Sequence, residues 1–250
     1  MRRAVLAASA VLAASAASAA DLMPAQFAPP APPSMDTGGW YLRGDVGYVL
    51  PMRPTVEGQL PGGLTRTFQD ERFGKSLMVG AGVGYKFNNW FRVDATAEWR
   101  KSNNFHATNS GSAYVNGFSD EKARLSARTF MLNGYIDLGT WSGFTPYVGA
   151  GVGVTSKDVR NWTTQVVCFT ALCTPSNESP TLPNSSKSGF TWALMAGTAI
   201  QLTDALSLDV GYRYLNLGGL TTKADAFGVS AKLADVKVNE VRVGLRYMFR

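Results

Sequence analysis

Histidine is nearly absent: His106 is the only one in 250 residues, so neither a catalytic histidine pair nor a multi-histidine metal site can be built. No recognisable Ser/His/acid set surrounds it, and a solvated loop histidine is the plain reading. Charge is sparse at 17%, and removing Arg2 and Arg3 with an export signal leaves 22 basic against 18 acidic residues, a net of +4. So modest an excess argues against a nucleic-acid partner. Beyond the first 20 residues no window holds the ~18 uninterrupted apolar residues of a membrane helix, so any crossing must be made by strands. Only two cysteines occur, and neither is near residue 20, which leaves a lipid anchor no attachment site there.

What is present at the start is an export signal. Arg2 and Arg3 precede an Ala/Leu/Val-rich run that ends in Ala17-Ser18-Ala19-Ala20, which assigns residues 1–19 to a signal peptide cleaved after Ala19 or Ala20. Residues 20–38, with Pro24, Pro29, Pro30, Pro32 and Pro33, read as an extended periplasmic leader. The remainder, 39–250, contains most of the 26 glycines and the 11% aromatics, a composition suited to short strands and turns.

Its organising stretch is the last. In Val241 to Phe249 the residues Val241, Val243, Leu245, Tyr247 and Phe249 share one face, and Arg242, Gly244 and Arg246 share the other. The same alternation recurs from Trp40 to Leu50, Lys75 to Phe87, Trp90 to Lys101, about 123 to 138, Phe144 to Thr155, Gly189 to Leu202 and Leu206 to Asn216. Connections alternate long and short: residues 51–74, about 102–122, 156–188 and 217–235 are long, whereas Asn88-Asn89, Gly139 to Gly143 and Thr203 to Ala205 are short. Four long loops at one end and three short turns at the other are the asymmetry of an eight-stranded antiparallel up-and-down transmembrane β-barrel. A secreted β-sandwich shares the two-residue period but must bury one face of every strand. Here the face opposite the aromatics carries charges, and aromatics gather at strand ends as Trp40, Phe87, Trp90, Phe144, Tyr247 and Phe249 at one interface and Tyr48, Trp99, Phe190 and Tyr214 at the other.

Thr145-Pro146-Tyr147-Val148-Gly149-Ala150-Gly151-Val152-Gly153, Leu208 to Tyr214 and the Val-Arg-Val-Gly-Leu-Arg-Tyr close resemble the OmpA-like eight-stranded outer-membrane barrels. More closely, residues 39–249 and the Ala20-Asp21-Leu22 start are similar to the major outer-membrane proteins of rhizobia, Brucella and Bartonella. The resemblance implies this fold in a Gram-negative outer membrane. Family members are variously structural proteins, small porins, adhesins and haem binders. Arg250 departs from the family's aromatic terminus.

Gly80-Ala81-Gly82-Val83-Gly84 and Gly149 to Gly153 imitate nucleotide-binding glycines, but the spacing is G-x-G-x-G and no helix follows. Inward glycines instead make room in a narrow lumen for Tyr147 and for charges. Arg43, Arg92, Arg213, Arg242 and Arg246 share that interior with Asp45, Asp94, Glu98, Asp209 and Glu240, and buried charges must pair, so a cross-lumen network closed to solutes is expected. Arg100, Lys101, Lys122, Arg124, Arg128, Lys157, Arg160 and Lys187 fall near the outer strand ends and are read as a collar for lipopolysaccharide phosphates. Cys168 and Cys173, separated by four residues in an exported loop, are expected to form a disulfide. The functional expectation is a non-enzymatic structural barrel without cofactor or metal, monomeric or weakly oligomeric, that contacts lipid and lipopolysaccharide and presents surface loops for adhesion. A small porin or a surface haem receptor is the alternative.

Overall fold

Eight long strands close on themselves. In the computed structural model, which describes residues 38–249 apart from 54, 60, 64, 68, 110–116, 170–180 and 225–229, they are β1 (Gly39–Pro51), β2 (Ser76–Lys86), β3 (Phe91–Asn109), β4 (Gly117–Asp137), β5 (Phe144–Cys168), β6 (Ser185–Gln201), β7 (Leu206–Asn216) and β8 (Lys237–Met248). The expected signal peptide and all but the last residue of the expected Pro-rich leader lie outside the described residues. Each strand pairs antiparallel with the next, and β8 returns to β1 in the register Leu42↔Tyr247, Val46↔Val243 and Leu50↔Asn239. Closure leaves these eight strands no free edge within the ring.

The short turns are fixed by their own side chains. Asn88 Oδ1 accepts from the N–H groups of Trp90 and Phe91 at 3.0 and 2.8 Å, and Thr203 Oγ1 accepts from those of Ala205 and Leu206 at 3.3 and 3.0 Å. Outward side chains form an apolar girdle: Val46, Leu77, Trp99, Phe130, Phe190 and Val241 are 49–65% exposed. Their inward neighbours on the same strands, Asp45, Glu98, Thr191 and Arg242 among them, are buried. This inverts the arrangement of a soluble sheet and suits a hydrocarbon solvent.

The long connections are more ordered than their composition implies. β3, β4 and β5 continue past the girdle as a three-stranded extension, where 102–122 and 156–188 read as loops. Two bulges hide this continuation from a strict two-residue period. One shifts register between Arg100 and Asn103 on β3, and the other lies opposite Lys122 and Arg124, at Asn161 of β5, whose φ is +53°. Each turns the following residues to the opposite face, so Phe105 and Trp162 point inward. Gln69–Phe73 pairs with β3, and Thr181–Leu182 pairs with β5. The first and fourth connections leave the adjacent strands β1 and β8 side by side and build a second sheet, in the order Leu220–Thr221, Ser230–Leu233, Val56–Gln59, Thr65–Thr67.

That sheet and the extension enclose one apolar cluster at the long-loop end. It runs from Val49, Met78, Met131, Leu215 and Val238 at the top of the lumen to Val56, Phe105, Trp162, Leu220 and Leu233 above it, all buried. Phe105 is central, with ring centroids 5.2 Å from Phe73 and 5.4 Å from Trp162.

Candidate functional site: a charged lumen beneath an apolar cap

The strand period alone delivers ionic groups to the interior, because every second residue of a closed barrel faces inward. Among the described residues, Arg43, Arg92, Arg100, Arg213, Arg242 and Arg246 are buried with Asp45, Asp94, Glu98, Asp137, Asp209 and Glu240. Positive and negative groups are therefore equal in number, as a desolvated interior requires.

The tier nearest the cap is the most tightly connected. Arg213 of β7 reaches the opposite wall and grips Glu98 of β3 with both terminal nitrogens, Nη1 to Oε1 at 2.7 Å and Nη2 to Oε2 at 2.6 Å. Its Nε donates to Glu240 Oε2 at 2.8 Å. Arg100 links the same two carboxylates, through Nε to Glu240 Oε1 and Nη2 to Glu98 Oε2, each at 2.8 Å, and donates to Thr129 Oγ1 at 2.7 Å. Arg242 spans Glu98 and Asp45 at 3.2 and 3.3 Å.

In the middle tier Arg43 binds Asp45 through two nitrogens at 2.7 and 2.9 Å, and its Nη1 donates to Asp94 and to the Tyr135 hydroxyl at 2.9 Å each. Asn133 Nδ2 donates to the second Asp94 oxygen at 2.8 Å. Below it Arg92 pairs with Asp137 at 3.0 Å, and its guanidinium lies 4.2 and 4.6 Å from the ring centres of Tyr135 and Tyr147. Arg246 approaches Asp209 at 3.5 Å. Glycines make the space: a Cβ on Gly84 would strike the Tyr41 ring, one on Gly149 would stand 2.7 Å from the Tyr135 ring, and one on Gly151 would strike Asn133 Oδ1. Tyr147 Oη lies 2.7 Å from where a Cβ on Gly197 or Gly211 would stand.

The ten residues expected in the lumen are all brought together there. Two members were missed, Arg100 and Asp137. Both share the inward parity of their strands, and the sequence reading gives Arg100 to the collar because it stands near an outer strand end. The collar is corrected accordingly. Arg100 is 4% exposed and belongs to the network, so it cannot meet lipid phosphates. Lys157 is fully buried beneath the cap, where its Nζ donates to the carbonyls of Leu217, Gly218 and Gly219 at 2.5, 3.1 and 2.8 Å. Burial, and then Lys187 opposite, push its ammonium down to about 8 against the pull of Asp235. It fastens the fourth connection to β5. Lys101, Lys122, Arg124, Arg128, Arg160 and Lys187 are exposed.

His106 lies on the outer face of the extension, with Nε2 2.6 Å from Asp120 Oδ1. Glu121 faces the cap interior and accepts from Trp162 Nε1 at 2.8 Å, Thr164 Oγ1 at 2.5 Å and Ser119 Oγ at 3.1 Å. Burial raises its carboxyl above the ordinary range. Cys168 ends β5, and its expected partner Cys173 lies outside the described residues.

A closed eight-stranded ring with an apolar girdle, a charged interior and short turns at one end defines an outer-membrane β-barrel. Residues 4–249 match the family model described as outer membrane protein beta-barrel domain, and the chain belongs to that family. It is 33% identical over 259 residues to an uncharacterised protein of Brucella abortus, covering 87% of each chain. A Rickettsia typhi protein named as a candidate adhesin is 24% identical over 83% of this chain and 87% of its own. Among solved structures, the outer membrane protein OprG from Pseudomonas aeruginosa shares the fold with a TM-score of 0.53 at 18% identity, over 84% of this chain and 96% of that one.

Proposed function

We propose that this protein is a non-enzymatic, non-conducting barrel that stabilises the outer membrane, with its short turns in the periplasm and its capped end outside. The observation that carries this reading is the Arg213–Glu98 pair, which crosses the lumen between opposite strands with both side chains wholly buried. The apolar cluster above it closes the same passage a second time. The orientation rests on the long and short connections, since short turns face the periplasm in barrels of this kind. Pure protein in a planar bilayer should show no reproducible unit conductance. A stable, uniform channel would instead support a small porin, and a Soret shift on haem titration a haem receptor.

Adhesion is a second reading, supported by the β4–β5 hairpin, which extends well past the girdle. Near its end the Phe118 and Phe169 rings stand 5.6 Å apart, and Phe169 is 69% exposed. A Cys168–Cys173 disulfide would brace that end, and thiol labelling of native protein without reductant should fail at both cysteines. Phe169→Ser should reduce binding of whole cells to host surfaces while leaving the folded barrel's electrophoretic mobility unchanged. Equal binding would remove adhesion by this hairpin.

A further inference from the structure

The outer face of the extension holds two charges that no ion pair among the described residues neutralises. Arg124 of β4 stands directly opposite Arg160 of β5, and both are exposed. Directly opposed residues of an antiparallel pair have Cβ atoms about 4.5–5.5 Å apart, and like charges there are destabilising. The nearby carboxylates are committed elsewhere. Asp120 lies 2.6 Å from His106 and binds Lys122 at 2.8 Å, and Asp158 binds Arg128 at 3.0 Å. Among the described residues neither Arg124 nor Arg160 has an ion pair. Asn104 of β3 flanks Arg124 on its other side, which adds an uncharged amide to the row.

Position narrows the partner. Arg124 lies six residues beyond Phe130 of the girdle along one strand. At ~3.3 Å per residue and a tilt of ~40°, that is about 15 Å above the apolar belt, within the saccharide layer rather than at the lipid surface. The doublet also faces sideways, out from the barrel wall, toward whatever stands beside the protein in the same leaflet. We propose that Arg124 and Arg160 together clamp a phosphate on the saccharide of a neighbouring lipopolysaccharide molecule, their two guanidinium forks neutralised by one anion. Arg128 and Lys101 stand lower, nearer the girdle, and are not needed for the clamp. This inference rests on the proposed orientation, with the capped end outside.

Binding measured on refolded, detergent-solubilised protein does not depend on orientation in a cell, so its failure is distinct from failure of that reading, which protease shaving of intact cells would test. The probes are lipopolysaccharide purified from a Gram-negative bacterium, the same material dephosphorylated with hydrofluoric acid, inorganic phosphate and heparin. R124Q/R160Q should bind intact lipopolysaccharide about tenfold more weakly than the natural protein, and dephosphorylation should weaken the natural protein's binding to a similar extent. R160E should raise the melting temperature of lipopolysaccharide-free protein, because it replaces a repulsion by an ion pair, and should abolish the further rise that lipopolysaccharide gives. A variant that binds intact lipopolysaccharide like the natural protein overturns the proposal. So does tighter binding of heparin than of lipopolysaccharide, which would assign the doublet to a sulfated host glycan, or an equal melting rise from inorganic phosphate, which would make it a free-anion site.

Discussion

Two lengths of the same strand, β4, follow opposite rules. Of the five inward residues from Thr129 to Asp137, Thr129, Asn133 and Asp137 are polar, with Met131 and Tyr135 between them, and the outward residues Phe130, Leu132 and Ile136 are apolar and exposed. Across Lys122 to Arg124 the order is reversed, with Ala123 buried against the cap while Lys122 and Arg124 face out. The backbone of β4 runs on through both lengths, with a bulge in each partner strand along the way, and what changes is the surrounding solvent. Inside the girdle the charges are buried and find one another across the lumen, and beyond it the hydrophobic effect again drives apolar groups inward. The lumen is thus held by directional ion pairs, and the cap by shapeless apolar burial.

Substitutions can break this contrast at either end, and the largest effect belongs to the lumen. Glu98→Ala leaves Arg213, Arg100 and Arg242 facing a missing carboxylate in a buried site. A loss of about 3–5 kcal/mol is expected, read as a lower midpoint of the heat-dependent gel shift. A near-neutral result would mean that water fills the lumen. Phe105→Ala should cost about 3 kcal/mol, confined to the cap. Limited proteolysis should then cut the first and fourth connections while the barrel keeps its melting point. If both melted together, lumen and cap would be one cooperative unit.

Leu132→Arg on the lipid face should destabilise the barrel in membranes by roughly 2–4 kcal/mol. An unchanged midpoint in lipid vesicles would place Leu132 away from hydrocarbon. The smallest effect is a gain. Glu121→Gln can keep all three hydrogen bonds while removing a buried charge, and should stabilise the cap at neutral pH by about 1 kcal/mol. The two buried ionic groups of the cap also set its pH response. Burial raises Glu121, so the stability it contributes is complete below the ordinary value of 4.5 and is lost as pH climbs through its raised pKa. Lys157 is depressed to about 8 from 10.5, so the unfolded state binds the extra proton between those values and stability is gained as pH rises across them. Protection factors of cap amides, taken relative to the intrinsic exchange rate at each pH, should therefore be lowest near neutrality and higher toward both acid and alkali. Monotonic protection would show that other groups dominate.

The alternation of Val241 to Phe249, and its seven repetitions, suffice to disclose the ring, its connection asymmetry and ten members of the lumen network. That much was legible because a closed barrel makes side-chain direction a property of parity, which is a local feature of the chain. Arg100 shows where parity was known but overruled by nearness to a strand end. Lys157 shows something different, since three backbone carbonyls of a connection 60 residues away received its amine, and no pattern in the sequence announces a carbonyl. The extension and the second sheet were equally hidden, because the bulges at Arg100/Asn103 and Asn161 interrupt the period that would have revealed them. The sequence by itself determined which residues face in and which face out within the girdle, for that depends only on the two-residue repeat. Which arginine grips which carboxylate, which lysine is buried, and that the first and fourth connections meet over the mouth were decided by ring closure, because it brings β1 beside β8 and Arg213 within reach of Glu98 from the far wall.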